Sequence, residues 1–158
     1  MPNIADTLTP FCAQIEIAGS IRRRRENVND IDLVVLPKPG QIAALRERVK
    51  RSTTTILDGE ENLIIRLANC FQLDIFIARP ETSDLLTTTP TNFGALLLTR
   101  TGSKEHNIFL CQTATRLGRK YQPYRGVLEN DVLLASATEM EIFTALGLPF
   151  IAPEKRER

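Results

Sequence analysis

The stretch Asp30-Ile31-Asp32-Leu33-Val34-Val35-Leu36 leaves the chain few options. After its second acid it is continuously apolar, the pattern of a central strand buried on both faces. Asp30 and Asp32 stand at i and i+2, so both side chains leave one face of that strand, about 6.6 Å apart along the backbone. Pro37 and Pro39-Gly40 end it. A second apolar strand, Leu73-Asp74-Ile75-Phe76-Ile77, carries an acid in its middle. A carboxylate there is costly unless it is paired or meets a cation. Side by side, two such strands bring three carboxylates around one point. That cluster stays ionised only with divalent metal, and hard oxygen ligands suit Mg²⁺ or Mn²⁺.

Around these strands the sequence predicts a short helix over Ile4 to Phe11, with Asn3 as its N-cap, and a strand over Gln14 to Ala18 ending in the turn Gly19-Ser20. Apolar residues at Ile42, Leu45 and Val49 predict a helix over Gln41 to Arg51. Asn62 to Ala68 and Phe71 to Ala78 read as the two arms of a hairpin turning at Asn69-Cys70. The threonine-rich segment Glu81 to Thr91 reads as a loop or linker. Beyond it come an apolar stretch, Ala95 to Leu98, the turn Thr101-Gly102-Ser103, a helix over Lys104 to Leu117 stopped by Gly118, and an extended segment over Tyr121 to Leu128. Thr138-x-x-Glu141 is a capping box opening a last helix, Glu139 to Leu146. The expected class is α+β, with a mixed, partly antiparallel sheet and flanking helices over residues 1–92 and a mainly helical part with a short sheet over 93–158.

Charge is balanced overall and uneven locally. Twenty Lys+Arg against 19 Asp+Glu leave +1, so net charge alone names no partner. Yet Arg22, Arg23, Arg24 and Arg25 are consecutive, and six bases stand against Glu105 alone between Arg100 and Arg125. Both segments read as phosphate-facing patches. No apolar run approaches the ~20 residues of a bilayer span, and Met1 to Phe11 lacks the pattern of a secretory signal. Cys12, Cys70 and Cys111 form no C-x-x-C pair. A disulfide framework and a structural zinc site are therefore not expected, and the expected location is intracellular and reducing, in cytoplasm or nucleoid.

Upstream of the acid pair stands Gly19-Ser20-Ile21-Arg22-Arg23. A glycine-serine turn after a strand offers backbone N–H groups and a hydroxyl, and arginines offer charge-assisted hydrogen bonds to phosphate. With the three aspartates, these parts describe a nucleoside triphosphate held against two metals for in-line attack by a hydroxyl on the α-phosphate.

At these residues the chain resembles the nucleotidyltransferase superfamily, and more closely the family X DNA polymerases, the polymerase β group. The resemblance rests on Gly19-Ser20-Ile21-Arg22-Arg23, on Asp30-Ile31-Asp32 six residues further, on Asp74, and on Thr101-Gly102-Ser103-Lys104-Glu105-His106-Asn107. It extends through Glu141-Ile142-Phe143 and Leu148-Pro149 to Pro153-Glu154-Lys155-Arg156, and so covers nearly the whole chain as a palm followed by a thumb. It implies that Asp30 and Asp32 ligate both metals, and that Asp74 ligates the catalytic one and helps deprotonate a primer 3′-OH. It further implies a nucleotide site made of Gly19, Ser20, Arg23, Asn29, Gly102, Ser103 and Asn107, with Ser20 and Arg23 on the β- and γ-phosphates and Asn107 on the base edge. Candidate DNA contacts are Arg22, Arg24, Lys104, Arg119, Lys120, Tyr124 and Arg125. Tyr124 reads equally as a half-buried structural aromatic.

The chain departs from the family pattern at Thr99-Arg100, where the family has an aromatic pair on the nucleotide sugar, at Asn29, where it has glycine, and at Cys111, where it has a base. The resemblance supplies no lyase, fingers or phosphoesterase lobe, from which weak, distributive synthesis is expected. His106, the one histidine, is expected at the surface or on the template side. The leading reading is a monomeric, metal-dependent DNA polymerase of gap-filling repair type, acting on primer-template or gapped DNA with nucleoside triphosphates. Alternatives are a small nucleotidyltransferase acting on RNA or protein and a non-catalytic nucleic-acid-binding protein.

Overall fold

Two residue patterns dominate the fold, the strand that begins at Asp30 and the helix whose apolar run begins at Phe93. A computed structural model describes residues 4–52, 54–67 and 71–157. In chain order they form α1 (Ile4–Leu8) continued by a 3₁₀ turn, β1 (Cys12–Ile17), α2 (Gly19–Arg22), β2 (Asp30–Pro37), α3 (Ile42–Ser52), β3 (Thr54–Asp58), β4 (Asn62–Arg66) and β5 (Gln72–Ile77). There follow β6 (Thr82–Ser83), β7 (Thr88–Thr89), α4 (Phe93–Thr101), α5 (Lys104–Arg116), β8 (Lys120–Gln122), β9 (Gly126–Glu129), β10 (Val132–Ala135) and α6 (Glu139–Ala145). The architecture is α+β, as expected.

The first sheet has the order β1-β2-β5-β4-β3, with β2 and β5 parallel and the other pairs antiparallel. Its two faces differ. Leu33 and Val35 of β2, Leu63 and Ile65 of β4, and Leu73, Ile75 and Ile77 of β5 all face Leu8, Leu45 and Val49 of α1 and α3, forming one core. By alternation, Asp30, Asp32 and Val34 of β2 and Gln72, Asp74 and Phe76 of β5 occupy the other face. Phe93, Leu96 and Leu97 of α4 cover only the end of it that holds Val34, Phe76 and Ala78. The acidic end stays outside that apolar cover.

Helix α4 has buried residues on every side, including Phe93, Gly94, Ala95, Leu96, Leu97 and Leu98. Ala95 and Leu98 join a further core with Leu110, Ala114, Tyr121, Val127, Ile142 and Phe143. A helix so placed lacks the broad polar stripe that betrays amphipathic helices, and its local pattern reads as the apolar run Ala95 to Leu98. Gly94 lets it approach α6, since a Cβ at that position would lie 2.4 Å from the backbone of Thr138.

Other expectations need correction. Residues 54–58 form an unanticipated edge strand, exposed along most of its length. The segment read as linker contains the short β6–β7 hairpin, its turn organised by Asp84, whose Oδ1 accepts from the backbone N–H groups of Leu86 and Thr87. The extended segment from Tyr121 is two strands of a β10-β9-β8 sheet. The Asn69-Cys70 turn, the Asn3 cap and Cys70 lie outside the described residues. The capping box holds, with Thr138 Oγ1 accepting from the Glu141 N–H at 3.2 Å. His106 is fully buried and packs its ring against Phe143 and Phe109 at centroid distances of 6.0 and 6.2 Å, which corrects the surface role expected of it.

One polar cluster ties α2 to α6 and the chain's C-terminal segment. Arg22 makes a two-pronged bond to Glu139 at 2.7 and 2.8 Å, and Arg156, fully buried, reaches the same carboxylate at 2.7 Å. Burial alone would raise the Glu139 carboxyl, but hydrogen bonds from Arg22 and Arg156 outweigh it and hold the group below its ordinary range. Its stabilising share is therefore complete above the ordinary glutamate pKa and is lost as pH falls through the lowered one. Glu139→Gln should cost about 3 kcal/mol or more of unfolding free energy at neutral pH, because it leaves two guanidinium groups facing each other without an anion. Urea titration checks this, and the difference from wild type should shrink as pH is lowered towards 3.

Candidate active site

The parallel register of β2 on β5 sets Asp30 opposite Gln72 and Asp32 opposite Asp74. Residues paired in this way share a face, so Asp30, Asp32 and Asp74 form one acidic patch. Each is partly buried. The Asp32 carboxyl is pushed up to about 6, first by burial and then by the charges of Asp30 and Asp74, against the opposing pull of Arg100 and Arg23. Gln72 donates from Nε2 to Asp74 Oδ1 at 2.8 Å. As placed, no three Asp, Glu, His or Cys side chains among the described residues close on a common ion. Carboxylate oxygens are hard donors of the kind that divalent cations take.

The turn before β2 is built onto the same patch. The Ala18 N–H donates to the Asp32 carbonyl at 2.8 Å, and Gly19 has φ +59°. A Cβ on Gly19 would lie 1.9 Å from Asp32 Oδ2, so both the dihedral and the contact require glycine. Residues Gly19–Arg22 form a short helix where the sequence suggested only a turn.

The four consecutive arginines do not act together. Arg22, a candidate DNA contact from the sequence, is bound to Glu139 and also donates to Thr101 Oγ1 at 2.8 Å, which ties its guanidinium into the fold. Arg23 donates to the Thr101 carbonyl and, from Nε, to Glu157 at 2.5 Å. That places it beside Gly102, whose missing Cβ would stand 3.0 Å from Arg23 Nη1. Arg24 and Arg25 are exposed, with Arg25 3.6 Å from Glu157.

The turn between α4 and α5 contains a cis peptide, Gly102–Ser103. Ser103 is the N-cap of α5, donating to the Arg156 carbonyl at 2.7 Å and accepting from the His106 N–H at 3.2 Å. Its hydroxyl is thus engaged by the fold. Asn107 donates from Nδ2 to the Thr99 carbonyl at 2.8 Å. Three buried polar atoms have no hydrogen-bond partner in this region: Ser20 Oγ, Asn107 Oδ1 and Arg100 Nε. Buried polar atoms are ordinarily paired. One stands beside Gly19, one on the residue that holds Thr99, and one on the residue after Thr99.

Of the remaining candidates, Asn29 is exposed immediately before β2, and Lys104, Lys120 and Arg125 are exposed. Arg119 is not free. It pairs with Glu129 at 2.9 Å and donates to the Ala145 carbonyl. Tyr124 is half-buried, and its hydroxyl accepts from Arg100 Nη2. Sequence reasoning gave no role to Glu139, Glu157 or Phe76. A signal existed only for Phe76, two residues after Asp74 and therefore on the acidic face.

Comparison with known proteins agrees with this geometry. The family model of the DNA polymerase beta thumb matches residues 96–157. The chain is similar to a DNA polymerase/3′-5′ exonuclease PolX of Bacillus subtilis, 29% identical over 143 residues, covering 89% of this chain and 24% of that protein. It therefore spans about a quarter of the length of that relative. In fold it matches the crystal structure of Leishmania infantum polymerase beta in a ternary P/T complex, with a TM-score of 0.71 and 19% identity over 98% of this chain and 71% of the other. No helix among the described residues is long and apolar enough to cross a membrane. With a G-S turn leading to D-x-D and a third aspartate on one face of a mixed sheet, and with the thumb model matched over residues 96–157, the chain is similar to the family X, polymerase β-like proteins.

Proposed function

We propose that the chain is a template-directed DNA polymerase of gap-filling type, with a palm over residues 1–92 and a thumb over 93–158. It would transfer dNMP to a primer 3′-OH and release pyrophosphate. The observation that carries this reading is the register placing Asp32 against Asp74 and both beside Asp30, with Gly19 pressed onto Asp32. The unpartnered Ser20 Oγ and Asn107 Oδ1 add polar atoms with capacity for a ligand.

In this reading Asp30, Asp32 and Asp74 hold two Mg²⁺ or Mn²⁺ ions, which when bound neutralise phosphate charge and acidify the attacking hydroxyl. Asp74 is the carboxylate nearest in role to the proton of the primer 3′-OH. Ser20 Oγ donates to the triphosphate, and Arg23 exchanges its Glu157 partner for phosphate oxygen. Asn107 reads the base edge. The chain forms no covalent bond to substrate, so positioning and fixed charge supply its share of the rate.

Three measurements test the reading. Extension of a gapped, end-labelled duplex with dNTPs in Mg²⁺ or Mn²⁺ should give a one-nucleotide product, while RNA or the protein itself should not be labelled. Asp74→Asn should lower incorporation by about 10²-fold or more and leave nucleotide binding close to wild type; normal incorporation by that variant would overturn the three-carboxylate scheme. The third concerns stability. Because the Asp32 pKa is raised to about 6 from an ordinary 3.8, ionising it costs folding free energy, and that cost is present at neutral pH and vanishes as pH falls below about 4. In chelator, Asp32→Asn should melt above wild type at pH 7.5, with the gap closing between pH 6 and pH 4. Added Mg²⁺ should raise the wild-type melting temperature alone.

A further inference from the structure

The acidic face of the first sheet has a border that is neither acid nor apolar cover. Phe76 lies two residues after Asp74 on β5, on the same face and about 6.6 Å along it. Over its ring, with Cζ 4.0 Å from the centroid, sits the guanidinium of Arg100 from the last turn of α4. Tyr124, next to the short β9 strand, flanks it from the other side, its ring centroid 5.3 Å from the same Cζ and its hydroxyl accepting from Nη2. Stacking of this kind holds a guanidinium while leaving its charge unneutralised. No salt bridge to Arg100 is formed among the described residues. Its Nε is buried without a hydrogen-bond partner.

We propose that Arg100 is a positioning residue that keeps one fixed positive charge at the border of the carboxylate face, weakening the hold of that face on divalent cations, with Tyr124 as the anchor that sets how near the charge stands. The inference rests on the reading of Asp30, Asp32 and Asp74 as a metal site. Arg100 stands at the edge of the patch because the ring it stacks on belongs to the residue two places after Asp74 on the same face. Arg23 is already bonded to Glu157, whereas Arg100 has no carboxylate of its own. A nucleic acid strand that moved Tyr124 would move this charge, so template engagement and cation uptake would be linked, each altering the other by the same factor.

The test is Mn²⁺ binding to the full chain without nucleotide, read as free ion by electron paramagnetic resonance. Arg100→Met should tighten Mn²⁺ binding by about 5-fold or more, the size of one unit charge removed at this range from a doubly charged ion. Arg100→Lys, which keeps the charge, should stay close to wild type. Tyr124→Phe removes only the hydroxyl that holds Nη2 and lets the guanidinium turn to the carboxylates, so it should weaken binding. A merely structural role would move Met and Phe variants in one direction. Melting curves show whether each variant is folded, and if the Met variant is not, the Tyr124→Phe result decides. Unchanged affinity in folded Arg100→Met, or in Tyr124→Phe where that result decides, would overturn the inference. Wild-type protein that takes up no Mn²⁺, with Asp32→Asn indistinguishable from it, would instead overturn the metal-site reading beneath it.

Discussion

In a parallel strand pair, residues that stand opposite one another share a face, so the position of β5 against β2 decides what the acidic patch contains. With Asp32 opposite Asp74, three carboxylates lie together and Leu33, Val35, Ile75 and Ile77 all point into the helix-covered core. A slip of one residue would send Asp74 into that core and bring Ile75 onto the acidic face. The apolar packing of α1 and α3 therefore enforces the juxtaposition of charges on the far side of the sheet. Burial of the hydrophobic face resists the repulsion among Asp30, Asp32 and Asp74, which is visible in the raised Asp32 pKa. A patch of this kind is a local cost carried by the rest of the fold, as is usual where a binding site is built in advance of its ligand.

How much of this was legible in the chain follows from the range of the interactions. The i, i+2 spacing of Asp30 and Asp32 and the acid at the centre of an apolar strand are local, and both were readable. So were the Thr138 cap and the amphipathic α3. The pairing partner of β2 was not, because α3, β3 and β4 intervene before β5 and nothing in residues 72–77 names its neighbour. Helix α4 showed only as an apolar run because most of its sides are buried, and β3 escaped because its exposed residues show no alternation. His106 was misjudged for a related reason. Its burial against Phe143 depends on α6 packing over α5, a contact across 37 positions that no local pattern announces.

The run Arg22 to Arg25 shows the same limit for charge. As a sequence it is a single basic patch. On a helical turn successive side chains point about 100° apart, and the structure gives each arginine a different surrounding. Arg22 is drawn into the seam by Glu139, 117 positions away, Arg23 lies between Thr101 and Glu157, and the last two face solvent. Arg119 tells the same story at the other basic segment, where Glu129 and a carbonyl of α6 engage it. A charge run predicts how many cations are near a place, but acids distant in the chain decide which of them remain available to a phosphate.

That distinction bears on the seam between the first sheet and the helices that cover its acidic side. Arg22 and Arg100 both come from helices that end beside the acidic face, and both are held across the junction, yet they are held by different means. Arg22 is held by the Glu139 carboxylate, which it shares with Arg156, and it acts as a tie between α2 and α6. Arg100 is held by two aromatic rings and the hydroxyl of one of them, which fix its position and leave its charge intact. Salt screens exposed charges over about 10 Å but has less effect on partly buried ones, so a part-buried arginine without a carboxylate keeps its field at the edge of the acidic face. The pairing of Phe76 with Arg100 thus does what a salt bridge could not do at this place: it immobilises a cation next to an anionic site without neutralising either.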